Sequence, residues 1–285
     1  MPLISTHNEG GFTKLPKEND LDAMLDLLEG MRHDIEATVD FVSAFKFPEF
    51  ERRTEYVALV SDDGEYPLLT GDVGSNDGVR MNKKDYKKVA NEYVVPHSSA
   101  KHTKLSRESY AVGSLARFNL NCDKLHPKAK ETASDLGIKP GCINPYLNTV
   151  AQMVESVHCL NEAVSIVQDI KNTGINYDEE IVVGLNEGSR IPVKAGNGVG
   201  AVEGPRGTLY HNYQIDEKGI IINANCIIPT SQNLNNIERD MEKLVPEILD
   251  KSDEKITRSL EMLVRAYDPC ISCSTHLIDV KFVNR

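Results

Sequence analysis

The sequence predicts a mainly α-helical chain with a small β element, and three observations carry that reading. Apolar residues recur at three- and four-residue steps over two long stretches, two further helical stretches close the chain, and a single short turn joins two strand-like runs. In order, Met1–Lys17 is polar and Gly-rich, an irregular lead-in. A helix is expected from about Asp20 to Phe45, with Leu21, Met24, Leu25, Leu28, Met31, Ile35, Val39 and Val42 on one stripe, closed by Phe47-Pro48. Glu55–Val60 reads as a short strand with Asp62-Asp63-Gly64 as its turn. A loop-rich region follows, then a helix near Lys83–Glu92. Tyr110–Asn121 and Lys128–Leu136 read as two short helices, the second beginning after Pro127.

The longest helical signal is Tyr146–Asn172, striped by Val150, Met153, Val154, Val157, Leu160, Val164, Val167 and Ile170. His158 and Cys159 lie on it with no ligand partner four residues on, so packing and surface account for them better than a metal. The Gly-rich run within Ile191–Gly207 reads as a loop needing unusual backbone angles. It is not a dinucleotide fingerprint, since no clean strand leads into it and no helix follows. Thr208–Ile215 and Gly219–Ile228 are spaced for a hairpin across Asp216–Gly219. Helices over Ser231–Leu249 and from an N-cap at Ser252 to just before Pro269 complete one domain without repeats, the last burying Ile256, Leu260, Leu263, Val264 and Tyr267.

The 285 residues, 40% hydrophobic and 26% charged, suffice for a sizeable core. A net charge of −11 argues against nucleic acid as a partner, because neutralising phosphates needs surplus Lys and Arg. No apolar run reaches the length of a membrane span, and no signal peptide is visible at the N-terminus, so a cytoplasmic protein is expected. Of six cysteines, Cys122, Cys142, Cys159 and Cys226 are isolated and read as small buried apolar residues. Cys270 and Cys273 form one C-x-x-C.

That pair is the sharpest local signal, in Asp268-Pro-Cys-Ile-Ser-Cys-Ser-Thr-His276. Thiols at this spacing turn toward one ion. Pro269 stops the preceding helix, and Asp268, as the residue before proline, is pushed toward an extended conformation. A zinc site would want a second such pair, and a redox pair would want a helix N-terminus, whereas this one follows a helix C-terminus. A soft transition metal is the better account.

The same string resembles the D-P-C-x-x-C-x-x-H signature of [NiFe]-hydrogenase large subunits. Glu203-Gly-Pro-Arg-Gly-Thr-Leu-Tyr-His211 resembles that family's E-x-P-R-G-x-L-x-H segment, and Pro229-Thr-Ser-Gln-Asn233 its P-[ST]-x-x-N segment, in the family order. Glu49–Val57 and Leu125-His-Pro-Lys128 are similar to the cytoplasmic sulfhydrogenase and coenzyme F420-linked group. The resemblance implies a fold of that kind over residues 1–276, incomplete at its N-terminus, and reversible heterolytic cleavage of H2. It implies a nickel–iron centre with CO and cyanide on the iron, held by four cysteines. Cys270 resembles the terminal nickel ligand, whose sulfur takes the proton, and Cys273 the bridging one. Arg206 matches the guanidinium over the open face of the metal pair, Asp268 the carboxylate that orients it, and Pro205 its neighbour. Pro229 and Thr230 match residues around the iron diatomics, the Thr230 hydroxyl donating to a cyanide. His276 matches a ligand of a separate Mg2+ or Fe2+. Without the family, Arg206 would be a surface or ion-pair arginine and Thr230 a helix N-cap. The implied partners are an iron–sulfur small subunit, an electron-acceptor component using F420, NAD(P) or ferredoxin, nickel-insertion chaperones and a maturation protease.

The chain departs from the pattern in two places. The R-x-C-G-x-C that supplies the other two nickel ligands is missing, and His7–Lys14 resembles a segment well inside the full-length subunit, so Met1 is not expected to be where the family's fold begins. A truncated gene product, one half of a split subunit whose partner supplies the first cysteine pair, and a degenerate non-catalytic relative serving assembly or interaction all fit. On its own the chain is expected to be inactive. Leu277–Arg285, after His276, reads as a cleavable C-terminal extension of a precursor.

Overall fold

The structure, a computed structural model, describes residues 14–179 and 193–274, with the backbone of 7–8 and 11–12. His276 and the expected extension 277–285 lie outside the described residues, as does most of the lead-in.

Helix Asn148–Thr173 is the axis of the molecule. Its apolar stripe buries Val150, Met153, Val154, Val157, Leu160, Val164 and Val167, and helices Ser114–Asn121, Pro127–Asp135 and Glu18–Ser43 lie against it. Pro127 opens its helix at the first position, where a missing N–H costs nothing, and the His126 ring caps it by accepting from Lys128 N. Helices Pro229–Ile248 and Asp253–Ala266 pack on the same core, the latter through Ile256, Leu260, Leu263 and Tyr267 with Val264 half-buried. Helix Glu18–Ser43 is only partly covered: Leu21 and Val42 are buried, while Met24, Leu27 and Met31 stand exposed.

The β element is larger than the sequence suggests. Glu55–Val60 pairs antiparallel with Asp72–Ser75 and parallel with Tyr110–Ala111. It is buried on both faces, sending Tyr56 and Ala58 into the helical core and Val57 and Leu59 into a second core with Tyr86, Tyr110 and Tyr210. The expected helix near Lys83–Glu92 is one helical turn, Tyr86–Val89, followed by a hairpin of Asn91–Val95 and Ser98–Lys104. The β-branched run through Val95 and the Pro96 turn favour strand over helix there. Likewise the helix expected from Tyr110 starts only at Ser114, because Gly113 has φ +119°.

The Gly-rich run is a strand, not a loop. Gly196–Gly204 pairs along its length with Gly207–Ile215, which pairs in turn with Ile221–Ile227 in the expected hairpin. Gly196, Gly198 and Gly200 keep ordinary backbone angles. Among the described residues no helix is long and apolar enough to cross a membrane. Of the isolated cysteines, Cys122 and Cys142 are half-buried against the helical core, whereas Cys159 and Cys226 are exposed.

The turn after Gly204 meets the start of helix Ser114–Asn121 almost backbone to backbone. Gly207 has φ +130°, and a Cβ there would stand 2.3 Å from Val112 Cγ2 and 2.9 Å from Gly113 N. Gly207→Ala combines backbone strain with overpacking and is expected to cost roughly 2–6 kcal/mol. Urea unfolding checks this; a loss below about 1 kcal/mol would mean that the two backbones separate freely.

Candidate metal centre at the C-terminal cysteine pair

Three segments distant in sequence meet at the cysteine pair. Helix Pro229–Ile248 starts with Pro229 at its first position, and Ile228 rather than Thr230 occupies the N-cap. Thr230 is therefore not the cap. Its buried hydroxyl accepts from Cys270 N at 3.2 Å, which fixes the backbone of the first cysteine and leaves the hydroxyl hydrogen to donate elsewhere. The residues after it hold the neighbouring strands. The Asn233 amide accepts from Val112 N at 2.8 Å and donates to Val112 O at 3.2 Å, as a strand partner would, while Gln232 donates to Thr208 O at 2.6 Å.

Arg206 and Asp268, two residues that the resemblance singles out, are brought together. Arg206 Nε donates to Asp268 O at 2.6 Å and its Nη2 to Asp268 Oδ1 at 3.3 Å. Gln152 Nε2 donates to the other carboxylate oxygen at 3.1 Å. Both charged side chains are a little over a third exposed, at 39% and 38%. Asp268 is not extended. Its φ is +49°, the one non-glycine positive φ among the described residues. Its N–H donates to Arg265 O, closing helix Asp253–Ala266 as a left-handed cap, a conformation that Asp tolerates. Helix capping has outweighed the preference of a pre-proline residue.

The pair itself lies at the start of a helical turn rather than simply beyond the end of a helix. Ile271–Ser274 form that turn, and Cys273 N donates to Cys270 O at 3.1 Å. The pair thus follows the end of helix Asp253–Ala266, as the sequence suggests, and also opens a further helical turn. Hydrogen bonds from Cys273 and Ser272 to the Cys270 sulfur, with the charge of Arg206, hold that thiol below its ordinary range. The hydrogen bond to Cys270 pushes the Cys273 thiol up.

Behind the Arg206 turn lies an ion-pair network that sequence reasoning missed. Arg117, 2% exposed, grips Glu155 with two hydrogen bonds at 2.6 and 2.7 Å and reaches Glu203 at 3.0 Å. It also donates to Gly204 O at 2.8 Å and Pro205 O at 3.2 Å, so the residues before Arg206 hang from this guanidinium. Burial pushes the Glu155 carboxyl up, but the Arg117 charge and hydrogen bonds from Arg117, Ser114 and Tyr66 outweigh it and hold it below the usual range. Burial wins at Glu203, whose carboxyl is raised despite Arg117 and donors at Leu59 N and Thr208 Oγ1. One cation serves two carboxylates here, and Glu155 takes the larger share. A cleft of about 420 Å³ opens beside the network, lined by Ser114, Arg117, Gln152, Glu155 and Pro205. The available signal was a single charge inside each of two apolar runs, Leu-Ala-Arg117-Phe and Met-Val-Glu155-Ser-Val.

The donor set suits a soft metal, and only in part. Cys270 and Cys273 offer two adjacent thiolates beside a fixed cation and a hydroxyl. Among the described residues they form no cluster with a third Cys, His or carboxylate. The residues present therefore fit one half of a four-thiolate site.

The comparisons with known proteins specify the class. The chain belongs to the nickel-dependent hydrogenase family, whose model matches residues 72–276. It is 30% identical over 272 residues to the alpha chain of sulfhydrogenase 1 from Pyrococcus furiosus, covering 94% of this chain and 61% of that one. It is 33% identical over 207 residues to a component of the F420-non-reducing hydrogenase of Methanothermobacter marburgensis, covering 68% and 41%. Among solved structures, an NAD+-reducing [NiFe]-hydrogenase in the H2-reduced state superposes with a TM-score of 0.73 at 26% identity, covering 94% of this chain and 62% of that one. The chain thus spans about three-fifths or less of the length of these relatives.

Proposed function

We propose that this chain forms the C-terminal part of the large subunit of a cytoplasmic [NiFe] hydrogenase that interconverts H2 with protons and electrons. The observation that carries the reading is the convergence of three separated motifs on one point. Thr230 fixes Cys270, and Arg206 is locked to Asp268 two residues before it. Cys270 and Cys273 supply two of the thiolates for a nickel–iron centre with CO and cyanide on its iron. When bound, that centre supplies the polarisation and heterolytic splitting of H2.

The chain's own residues then have distinct roles. The Cys270 sulfur would be the group that receives the proton. Arg206 holds a permanent positive charge over the site, oriented through two atoms of Asp268, with Pro205 beside it. Pro229 and Thr230 would lie toward the iron, where the Thr230 hydroxyl would be free to donate to a cyanide. His276 binds a separate Mg2+ or Fe2+. Electrons leave through an iron–sulfur small subunit to an electron-acceptor component of the F420, NAD(P) or ferredoxin type, and residues 277–285 are removed by a maturation protease once nickel has been inserted.

A second reading, a non-catalytic relative acting in assembly, is favoured by one observation: the sequence holds a single C-x-x-C. Under the first reading the other cysteine pair comes from polypeptide outside these 285 residues. The isolated chain is expected to show no infrared bands in the CO and cyanide stretching region, and a complex containing an R-x-C-G-x-C polypeptide is expected to show them. Bands from the chain alone would overturn the two-thiolate reading. Bands missing from every such complex would favour the assembly role.

A further inference from the structure

We propose that the chain carries a second metal site, unrelated to the cysteine pair, in which His97, His102 and Glu238 bind a divalent ion of the zinc type. His97 lies in the two-residue turn between Asn91–Val95 and Ser98–Lys104, and His102 stands on the second of these strands, opposite Tyr93. Glu238 comes from the outer side of helix Pro229–Ile248, against which that strand packs. One ligand atom from each residue lies within 4.8 Å of the others. Glu238 Oε1 is 2.7 Å from His97 Nε2 and 3.7 Å from His102 Nε2. Donors around a tetrahedral ion at about 2.0–2.1 Å stand roughly 3.3–3.4 Å apart, so these distances bracket the edge that an ion would impose.

Burial supplies the second observation. The His102 side chain is 2% exposed, and the nitrogen that faces Glu238 is its Nε2. Tyr93 packs edge-on against the ring at 5.9 Å, holding its plane toward the site. The adjacent cation, Arg239, is paired with Glu108 and Glu242. Two imidazoles and one carboxylate suit zinc or another late first-row divalent ion rather than Mg2+ or Ca2+, and three protein ligands leave a fourth position to water.

Calorimetric titration of the metal-stripped 285-residue chain with Zn2+ tests this. The reference form carries Cys270→Ser and Cys273→Ser, which removes the thiolates as competitors. One equivalent is expected to bind, and its affinity is expected to fall at least about tenfold with either His97→Ala or Glu238→Gln, since loss of a ligand costs no less than loss of a ligand's supporting residue. The His97 side chain is 60% exposed and that of Glu238 40%, so both changes are expected to leave the fold intact. Co2+ in the same site is expected to give visible ligand-field bands with no thiolate charge-transfer band. Where the double serine form does not fold, the same two substitutions in the native chain are expected to lower the Zn2+ stoichiometry by one equivalent. Absence of the equivalent, or an affinity indifferent to both substitutions, overturns the proposal.

Discussion

Replacing Arg117 with methionine is expected to remove about 3–5 kcal/mol of folding stability, the range for breaking a buried ion pair from one side. Methionine fills much of the same volume, so the loss is electrostatic rather than a cavity effect. Glu155 and Glu203 would remain buried with no cation, and the carbonyls of Gly204 and Pro205 would lose their donor. Against a typical total of about 5–15 kcal/mol, that is a large fraction. Adding Glu155→Gln and Glu203→Gln to the methionine variant is expected to restore most of the loss, because no uncompensated charge is then buried. Urea midpoints at neutral pH distinguish the cases. A single variant within about 1 kcal/mol of the parent would show that water reaches the carboxylates and that the network is not sealed.

The second large effect concerns turnover in a complete hydrogenase containing this chain. Arg206→Lys keeps the positive charge but loses the planar fork that engages Asp268 O and Oδ1 together. A cost on the order of 10²-fold in H2 oxidation is expected, comparable to losing one preorganised donor. Infrared bands of the CO and cyanide ligands are expected to survive that change and to vanish in Cys270→Ser, whose hard hydroxyl is a poor substitute for a soft thiolate. Full activity in the lysine variant would return Arg206 to an ordinary surface ion pair.

Much of the helical framework was legible because periodicity is a local signal. The stripes over helices Asn148–Thr173 and Asp253–Ala266 place both within a residue or two. The missed β elements fail for a specific reason. Glycines 196, 198 and 200 carry no side chain to alternate, so a strand made of them has no pattern, and its pairing partner begins beyond Arg206. At the site, the motifs point to Arg206, Asp268 and the cysteines through resemblance, and the structure adds the contacts among them. The left-handed Asp268 was not legible, since the rule for residues before proline and the demand of a helix end pull in opposite directions. Arg117 was hidden for another reason: a buried charge is visible only beside its partner, and Glu155 and Glu203 lie 38 and 86 residues away.

That separation governs the order of assembly. The Arg117 guanidinium spans helix Ser114–Asn121, helix Asn148–Thr173 and the strand ending at Gly204, and Glu203 ties in Leu59 across a further 144 residues. Loops of this length close late, and contacts that require them all contribute little until the rest of the fold is in place. A lock closed last leaves the rate of folding nearly unchanged and lengthens the life of the folded state. The bonds that hold the turn bearing Arg206 are therefore expected to break first when the chain begins to open.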